Sequence, residues 1–225
     1  TESVKKMSKK IYLDYQATTP VDPKILEKML PFFSINFANP HSNNHQDGRL
    51  ANEVIEEARE NVANLINAQS SEITFTSGAT ESNNLALKSI AKNYFENKCQ
   101  IISCKTEHKC VLESCHELEK EGFKVTYLDV DEEGLINIDE LENILKKEKS
   151  LVSIMMVNNE TGVIQDVKKI GELCKKYNSI FHSDIAQSIG TQKIDVNEMS
   201  IDACSISAHK IYGPKGIGAL YVSNN

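Results

Sequence analysis

The sequence of 225 residues contains no tryptophan and only two arginines, Arg49 and Arg59. Arginine is the side chain that most often holds a carboxylate through two parallel hydrogen bonds, so the chain has few candidates for that task. Its net charge of −7 argues against DNA or RNA as a main partner. There is no Gly-Lys-Ser or Gly-Lys-Thr, which excludes a Walker A loop. The longest clear apolar run, residues 151–157, is far too short to span a membrane.

The six cysteines are scattered without a C-x-x-C pair, and no secretory signal is recognisable. Reduced thiols in the protein core are therefore expected, rather than a disulfide framework or a metal site. This indicates the cytoplasm, or the mitochondrial matrix in a eukaryote. Residues 1–10 are rich in lysine but lack arginine and an apolar face, so they are expected to form a flexible tail.

The chain alternates strand-like and helix-like segments along most of its length. An extended segment is predicted at 11–15, and a helix begins at Pro23 after Asp22. Leu50, Val54, Ala58, Val62 and Leu65 recur at helical spacing, which predicts an amphipathic helix over 49–66. Strands are predicted at 72–76, 100–103, 124–130, 151–157, 179–183, 202–206 and 217–222, and helices after Gly78 and at 108–120, 139–146 and 167–176. The pattern predicts one α/β domain over 11–225, with a mostly parallel seven-stranded sheet between two helical layers.

Ligands of such sheets bind beyond the carboxyl ends of the strands, so the residues that follow each strand are candidate site residues. Residues 77–80 open a helix after a strand, where free backbone N–H groups and the Thr80 hydroxyl suit a phosphate. An ordinary helix cap is the alternative interpretation. His108 follows the next strand and can stack on a planar ring or be structural, and the amides at 158–159 can bind a ligand or shape a turn.

Two further strand ends carry charged groups. Asp184 ends a strand in an apolar setting, where a carboxylate is costly unless a cation or a hydrogen-bond donor pairs with it. Ser207, His209 and Lys210 follow the strand at 202–206 and precede a turn rich in glycine and proline. A lysine that is partly desolvated there becomes a nucleophilic amine, although His-Lys pairs in loops are often only solvated.

Together these groups describe a single ligand. A phosphate clamp, a stacking imidazole, a carboxylate for a pyridinium nitrogen and a Schiff-base lysine make up a site for pyridoxal 5'-phosphate, the cofactor that serves as an electron sink. Their occurrence at five strand ends is hard to explain as caps and turns alone.

Several motifs also resemble those of NifS/IscS-type cysteine desulfurases, a branch of the class-V aminotransferases among the fold-type I pyridoxal phosphate enzymes. The motifs are Tyr-Leu-Asp-Tyr at 12–15 with Ala-Thr-Thr-Pro at 17–20, Phe-Thr-Ser-Gly-Ala-Thr-Glu-Ser-Asn-Asn at 75–84, Thr-Glu-His-Lys at 106–109, Val-Asn-Asn-Glu at 157–160 and the stretch 209–220. They occur in the same order as in that family, and the resemblance runs from about residue 11 to 225.

The resemblance implies roles for individual residues. Lys210 is implied as the Schiff-base and proton-transfer lysine, Asp184 as the partner of the pyridine nitrogen, and His108 as the ring that stacks on the cofactor. Gln187 is implied to contact the ring hydroxyl and Asn159 to lie beside ring and substrate. The phosphate is implied to contact Ala79, Thr80, Ser207 and His209.

The family reaction converts L-cysteine to L-alanine and leaves the sulfur as a persulfide on an enzyme cysteine, for iron–sulfur cluster assembly and tRNA thiolation. A homodimer, with iron–sulfur scaffold and other sulfur-acceptor proteins as partners, is implied in the same way. None of the six cysteines matches the family's sulfur-accepting position, and neither arginine matches a substrate clamp. We therefore expect this chain to hold the cofactor domain without the C-terminal small domain, and to be inactive alone. Selenocysteine lysis, transamination and a truncated, non-catalytic module for dimerisation or partner binding remain as alternatives.

Overall fold

A computed structural model describes residues 11–94 and 99–224. The predicted tail at residues 1–10 lies outside them. The seven strands are β1 (Ile73–Thr76), β2 (Gln100–Cys104), β3 (Lys124–Leu128), β4 (Ser150–Ser153), β5 (Ile180–Asp184), β6 (Ala203–Ser207) and β7 (Gly218–Val222). The α-helices are α1 (Pro23–Met29), α2 (Gln46–Leu65), α3 (Ala79–Ser89), α4 (Lys109–Lys120), α5 (Ile138–Leu145) and α6 (Val167–Lys176).

The strands form one sheet in the order β1-β7-β6-β5-β4-β2-β3. The pairs from β6 through β5, β4 and β2 to β3 are parallel, whereas β7 runs antiparallel to both β1 and β6. The prediction of a mostly parallel seven-stranded sheet is therefore confirmed. The carboxyl ends of β1, β2, β4, β5 and β6 all reach the same edge of the sheet.

The sheet lies between two layers of helices, and a hydrophobic cluster fills the space between sheet and helices on each face. Ile101 of β2 packs with Leu87 of α3 and Val111 of α4, whereas the next residue, Ile102, packs with Leu141 of α5 and Ile170 of α6. Because successive side chains of a strand point to opposite faces, a strand buried on both sides reads as a continuous apolar run. This explains why residues 151–157 show no alternation of apolar and polar side chains.

Side chains placed at the helix starts explain why several helices begin where they do. The Asp22 carboxylate accepts a hydrogen bond from Lys24 N, with Pro23 at the first helical position. Asp166 caps α6 in the same manner, and His108 caps α4 by accepting from Cys110 N. The caps give the free N–H groups of each first turn a partner.

Two local predictions differ from the structure. Residues 11–15 form no strand, because no neighbouring strand pairs with them among the described residues. The predicted strand at 151–157 is β4, which ends at Ser153, although Ile154 N and Met156 N still donate hydrogen bonds to carbonyl groups of β5. A strand is defined by backbone hydrogen bonds to a neighbouring strand, and the hydrophobicity of a segment does not show where that pairing begins or ends.

Helix α2 is confirmed, but its buried face is not the predicted one. Leu50, Val54 and Leu65 remain 48%, 40% and 56% exposed, whereas Ala63 is buried. Arg59 pairs with Glu56, donates to Ile73 O at 2.8 Å and lies over the Phe75 ring. The arginine thus joins α2 to the edge strand β1. No helix within 11–94 and 99–224 is long and apolar enough to cross a membrane.

Candidate functional site

A cavity of about 500 Å³ opens at the carboxyl edge of the sheet. Its lining includes every residue predicted for the site, namely Ala79, Thr80, His108, Asn159, Asp184, Gln187, Ser207, His209 and Lys210. These residues come from five separate strand ends of the chain. The parallel strands bring them together because their carboxyl ends converge at one edge.

The N-terminus of α3 forms one wall of the cavity and suits an anion. Its N-cap residue, Gly78, provides no capping side chain, so the helix start lacks the usual side-chain acceptor. Gly78 has φ +152°, and a Cβ built on it would lie 3.8 Å from the Ser207 hydroxyl oxygen. A Cβ on Gly218 would come within 2.7 Å of Gly78 Cα, so the absence of a side chain at Gly218 lets β7 approach the loop closely. At Gly78 the backbone conformation is what favours glycine. Exposed N–H groups with the Ser207 and Thr80 hydroxyls nearby fit a phosphate group.

Lys210 lies one short 3₁₀ turn beyond β6, where the turn Ala208–Lys210 directs its side chain into the cavity. Its Nζ donates to Gln16 O at 2.6 Å. Burial lowers the pKa of the Lys210 amine, while the carboxylates of Asp184, Asp14 and Glu160 raise it by a smaller amount. The lysine thus combines partial desolvation with access from the cavity, which suits an amine nucleophile.

Residues 16–19 form hydrogen bonds with this turn and hold it in place. His209 O accepts from Thr19 N at 2.9 Å and from the Thr19 hydroxyl at 2.9 Å. His209 Nδ1 lies 3.1 Å from the Thr18 hydroxyl. Residues 16–19, which follow the predicted extended segment at 11–15, therefore serve the site across about 190 residues of sequence.

Asp184 ends β5 and is almost fully buried at the cavity wall. Its Oδ1 accepts from Ala186 N at 2.9 Å, and its Oδ2 accepts from Asn83 Nδ2 at 2.7 Å. Burial raises the pKa of Asp184, whereas these two hydrogen bonds and the charges of His108 and Lys210 lower it. Both direct donors are neutral, so a cationic group in the cavity would complete the pairing of this buried carboxylate. The pyridinium nitrogen of pyridoxal phosphate is such a group.

The remaining predicted residues line the same space. His108 Nδ1 accepts from Cys110 N at 3.2 Å, which fixes its orientation at the start of α4. Gln187 Nε2 donates to Gln16 O at 3.0 Å, and Asn159 Nδ2 donates to a Glu160 carboxylate oxygen at 2.7 Å. The donor set of the cavity therefore fits a phosphorylated, aromatic, nitrogen-containing ring.

Sequence reasoning missed two buried residues that contact the site, Asn83 and Cys110. Asn83 lies within a motif that the resemblance rests on, and it is four residues after Ala79, on the same side of α3. That spacing is the signal that could have found it. All six cysteines are free and buried, as expected, and burial raises the pKa of the Cys99 thiol to about 11 and that of Cys115 to about 12.

His182 precedes Asp184 on β5 but is fully buried and is not part of the cavity lining. Its ring nitrogens lie 2.9 Å from the Ser153 hydroxyl and 3.1 Å from the Ser205 hydroxyl. Burial lowers the pKa of His182 from 6.5 to about 3. The folded protein therefore keeps this ring neutral at a pH where the unfolded chain protonates it.

We expect His182 to make the protein less stable as the pH falls from about 6.5 toward about 3. The unfolded state binds the extra proton in this window, which lowers the unfolding free energy by at most about 1.4 kcal/mol per pH unit. The raised pKa values of Asp184 and Glu107 act in the opposite direction, since there the folded state binds more protons. Comparison with a variant is therefore needed to isolate the histidine.

The contribution of His182 to the pH dependence of stability is tested by measuring the unfolding free energy of His182→Gln in urea between pH 6.5 and 4. Glutamine keeps a donor and an acceptor between the two serines but cannot titrate, so a flatter pH dependence than in the unaltered protein is expected. Replacement of the exposed His116 by glutamine is the control and should leave the pH dependence unchanged. Equal slopes for His182→Gln and the unaltered protein would contradict the assignment.

The seven-stranded, mostly parallel sheet with helices on both faces is the architecture of fold-type I pyridoxal phosphate enzymes. Residues 11–225 match the model of the family described as aminotransferase class-V. Because this match covers nearly the whole chain, the chain belongs to the class-V aminotransferase family, whose members depend on pyridoxal phosphate.

Relatives within the family are cysteine desulfurases. The chain is 56% identical over 217 residues to "Cysteine desulfurase IscS" of Rickettsia massiliae (strain Mtu5), covering 96% of this chain and 53% of the relative. It is 55% identical to "Probable cysteine desulfurase, mitochondrial" of Dictyostelium discoideum, covering 94% of this chain and 47% of the relative. The chain thus spans about half the length of the curated relatives it matches.

Solved structures agree with the fold. A structure described as "SspA in complex with cysteine" superposes with a TM-score of 0.91 at 46% identity, covering 95% of this chain and 61% of the other. A "NIFS-LIKE PROTEIN" gives a TM-score of 0.91 at 42% identity, covering 96% and 59%. The predicted fold class and the predicted family are both confirmed.

Proposed function

We propose that the whole protein is a pyridoxal phosphate-dependent cysteine desulfurase and that this chain provides its cofactor site. The observation that carries the proposal is the convergence of all nine predicted residues, from five strand ends, on one cavity. The names of the relatives support the reaction, and a solved relative in complex with cysteine supports the substrate.

When bound, pyridoxal phosphate supplies an electron sink for bonds at the substrate α-carbon. Lys210 would hold the cofactor covalently and would move a proton at the substrate α-carbon. The lowered pKa of Lys210 keeps a larger share of the amine unprotonated than an exposed lysine would have. His108 covers one face of the ring and excludes water there.

The buried carboxylate of Asp184 pairs with the ring nitrogen and stabilises the protonated form of that nitrogen. Gln187 orients the ring through its hydroxyl, and Asn159 lies beside ring and substrate. The helix start at Ala79 and Thr80, with Ser207 and His209, holds the phosphate, where the α3 dipole stabilises negative charge.

In the proposed reaction, the Cβ–S bond of L-cysteine breaks and the sulfur transfers to an enzyme thiol. One cysteine and one thiol give one alanine and one persulfide, so no external oxidant or reductant is needed. All six thiols of this chain are buried, and Cys110, which lines the cavity, has a thiol whose pKa is raised by burial. Both arginines lie on α2, outside the cavity lining. The sulfur-accepting thiol and the carboxylate-binding arginine of the proposed enzyme are therefore sought outside these 225 residues. A homodimer, sulfur-acceptor partner proteins and a cytoplasmic or mitochondrial location belong to the same proposal.

The test is an absorbance spectrum of the purified protein with pyridoxal phosphate, followed by borohydride reduction and peptide mapping. A visible band with the reduced label on Lys210 supports the site. Alanine formation from L-cysteine by the whole protein then supports the reaction. Formation of alanine from selenocysteine alone would indicate a lyase instead, and a folded protein without a band would favour a non-catalytic module.

A further inference from the structure

Asn83 occupies a position between two residues of the proposed site. It lies on α3, is fully buried, and its Nδ2 donates to Asp184 Oδ2 at 2.7 Å and to Cys110 Sγ at 3.1 Å. The same amide carries a carbonyl oxygen, Oδ1, that has no hydrogen-bond partner among the described residues. Both N–H groups of the amide are therefore used, and its acceptor is not.

This asymmetry fixes the orientation of the amide. If the amide were flipped, Oδ1 would face the Asp184 carboxylate, and two acceptors would meet without a proton between them. A buried carbonyl group left without a donor is costly, so its presence here shows that donation to Asp184 takes priority. The geometry is suited to a charged carboxylate, which can only accept.

The second N–H extends the contact to the stacking histidine. Cys110 Sγ lies 3.0 Å from His108 Nδ1, and Nδ1 already accepts from Cys110 N. Because Nδ1 is an acceptor, the thiol S–H donates to it, and the sulfur in turn accepts from Asn83. The hydrogen bonds run in one direction, from Asn83 through Cys110 to His108, and leave the neutral ring's proton on Nε2.

We infer that Asn83 is a positioning residue for the cofactor ring: its amide holds Asp184 as an oriented carboxylate and, through the Cys110 thiol, supports the orientation of His108 that the Cys110 N–H sets. The inference rests on the proposed function, since Asp184 and His108 act on the pyridine ring only if pyridoxal phosphate binds. Asn83 itself is not part of the cavity lining and acts through the two residues that are.

Loss of this amide changes the charge balance of a buried group. Asp184 would keep only Ala186 N as a direct donor, while burial continues to favour the protonated acid. A protonated Asp184 does not stabilise a positive ring nitrogen. A hydrogen bond to a charged group corresponds to about a 10- to 100-fold change in an equilibrium, so cofactor affinity should fall by that factor.

The test compares Asn83→Leu, which has a similar shape but no donor, with Asn84→Leu. Asn84 is the adjacent asparagine, and its amide donates within its own helix, to Thr80 O at 3.0 Å. Each protein is loaded with pyridoxal phosphate labelled with ¹⁵N in the ring, and the ¹⁵N chemical shift and the dissociation constant are measured. We expect Asn83→Leu to bind 10 to 100 times more weakly and to shift the signal toward the unprotonated ring nitrogen, and Asn84→Leu to do neither.

Two cysteine variants test the second hydrogen bond. Cys110→Ser keeps both an acceptor and a donor and should bind nearly as the unaltered protein does, whereas Cys110→Ala should bind a few-fold more weakly. If Asn83→Leu fails to fold, Asn83→Ser is used, because its shorter side chain cannot reach Asp184 but leaves the core unstrained.

The outcomes separate this inference from the proposed function. An unaltered protein that binds no pyridoxal phosphate overturns both. An unaltered protein that binds it, with affinity and ¹⁵N shift unchanged in the folded Asn83 variants, overturns the inference alone. A weaker affinity with an unchanged ¹⁵N shift would indicate a merely structural role and would also overturn it.

Discussion

Replacement of Lys210 by alanine is expected to abolish the covalent attachment of pyridoxal phosphate and its visible absorption band. Lys210 follows the end of β6, and burial lowers the pKa of its amine. Turnover of L-cysteine by the whole protein should fall by about 10⁴-fold or more, because the variant loses both the nucleophile and the group that moves the α-proton. Spectroscopy before and after borohydride reduction, with peptide mapping, measures the first effect.

The matched control for this prediction is Lys215→Ala. Lys215 lines the same cavity, so its loss removes an equal charge from the same space. The band and the label on Lys210 should persist in this variant. A band that survives in Lys210→Ala, with the label on another lysine, would refute the assignment of Lys210.

Replacement of Asp184 by asparagine is expected to have the second largest effect. The side chain keeps its shape, and the Asn83 amide can rotate so that its unpaired Oδ1 accepts from the new amide. The fold should therefore survive, while the negative charge opposite the ring nitrogen is lost. Loss of one partner from a buried ion pair costs about 3–5 kcal/mol, which corresponds to roughly 200- to 5,000-fold weaker retention of the cofactor.

Cofactor retention after dialysis, followed by the rate of alanine formation, measures this effect. Asp202→Asn is the control, because Asp202 is a partly buried carboxylate that accepts a hydrogen bond from Phe181 N of β5 and lies outside the cavity lining. It should leave cofactor binding unchanged. Equal retention by Asp184→Asn and the unaltered protein would show that Asp184 does not pair with the ring.

Hydrophobic patterning predicted the elements well because secondary structure is largely a local property of the chain. Helix α6 has the predicted bounds of 167–176, and β3, β6 and β7 differ from the predicted ranges by one or two residues at an end. The strand-end rule then located Lys210 and Asp184, since parallel strands bring their carboxyl ends together whatever their order. Motifs shared with a family supplied the individual roles, which remain proposals.

The sequence by itself determined the alternation of strands and helices, the α/β class and nine of the residues that line the cavity. Only the tertiary structure decided which face of α2 is buried, that residues 16–19 fasten the Lys210 turn, and that Asn83 joins Asp184 to Cys110. These contacts join residues between 27 and 194 positions apart. The hydrophobic periodicity of the sequence shows only which residues share a face of one helix or strand. Contacts between distant residues depend instead on how the helices and strands pack against each other.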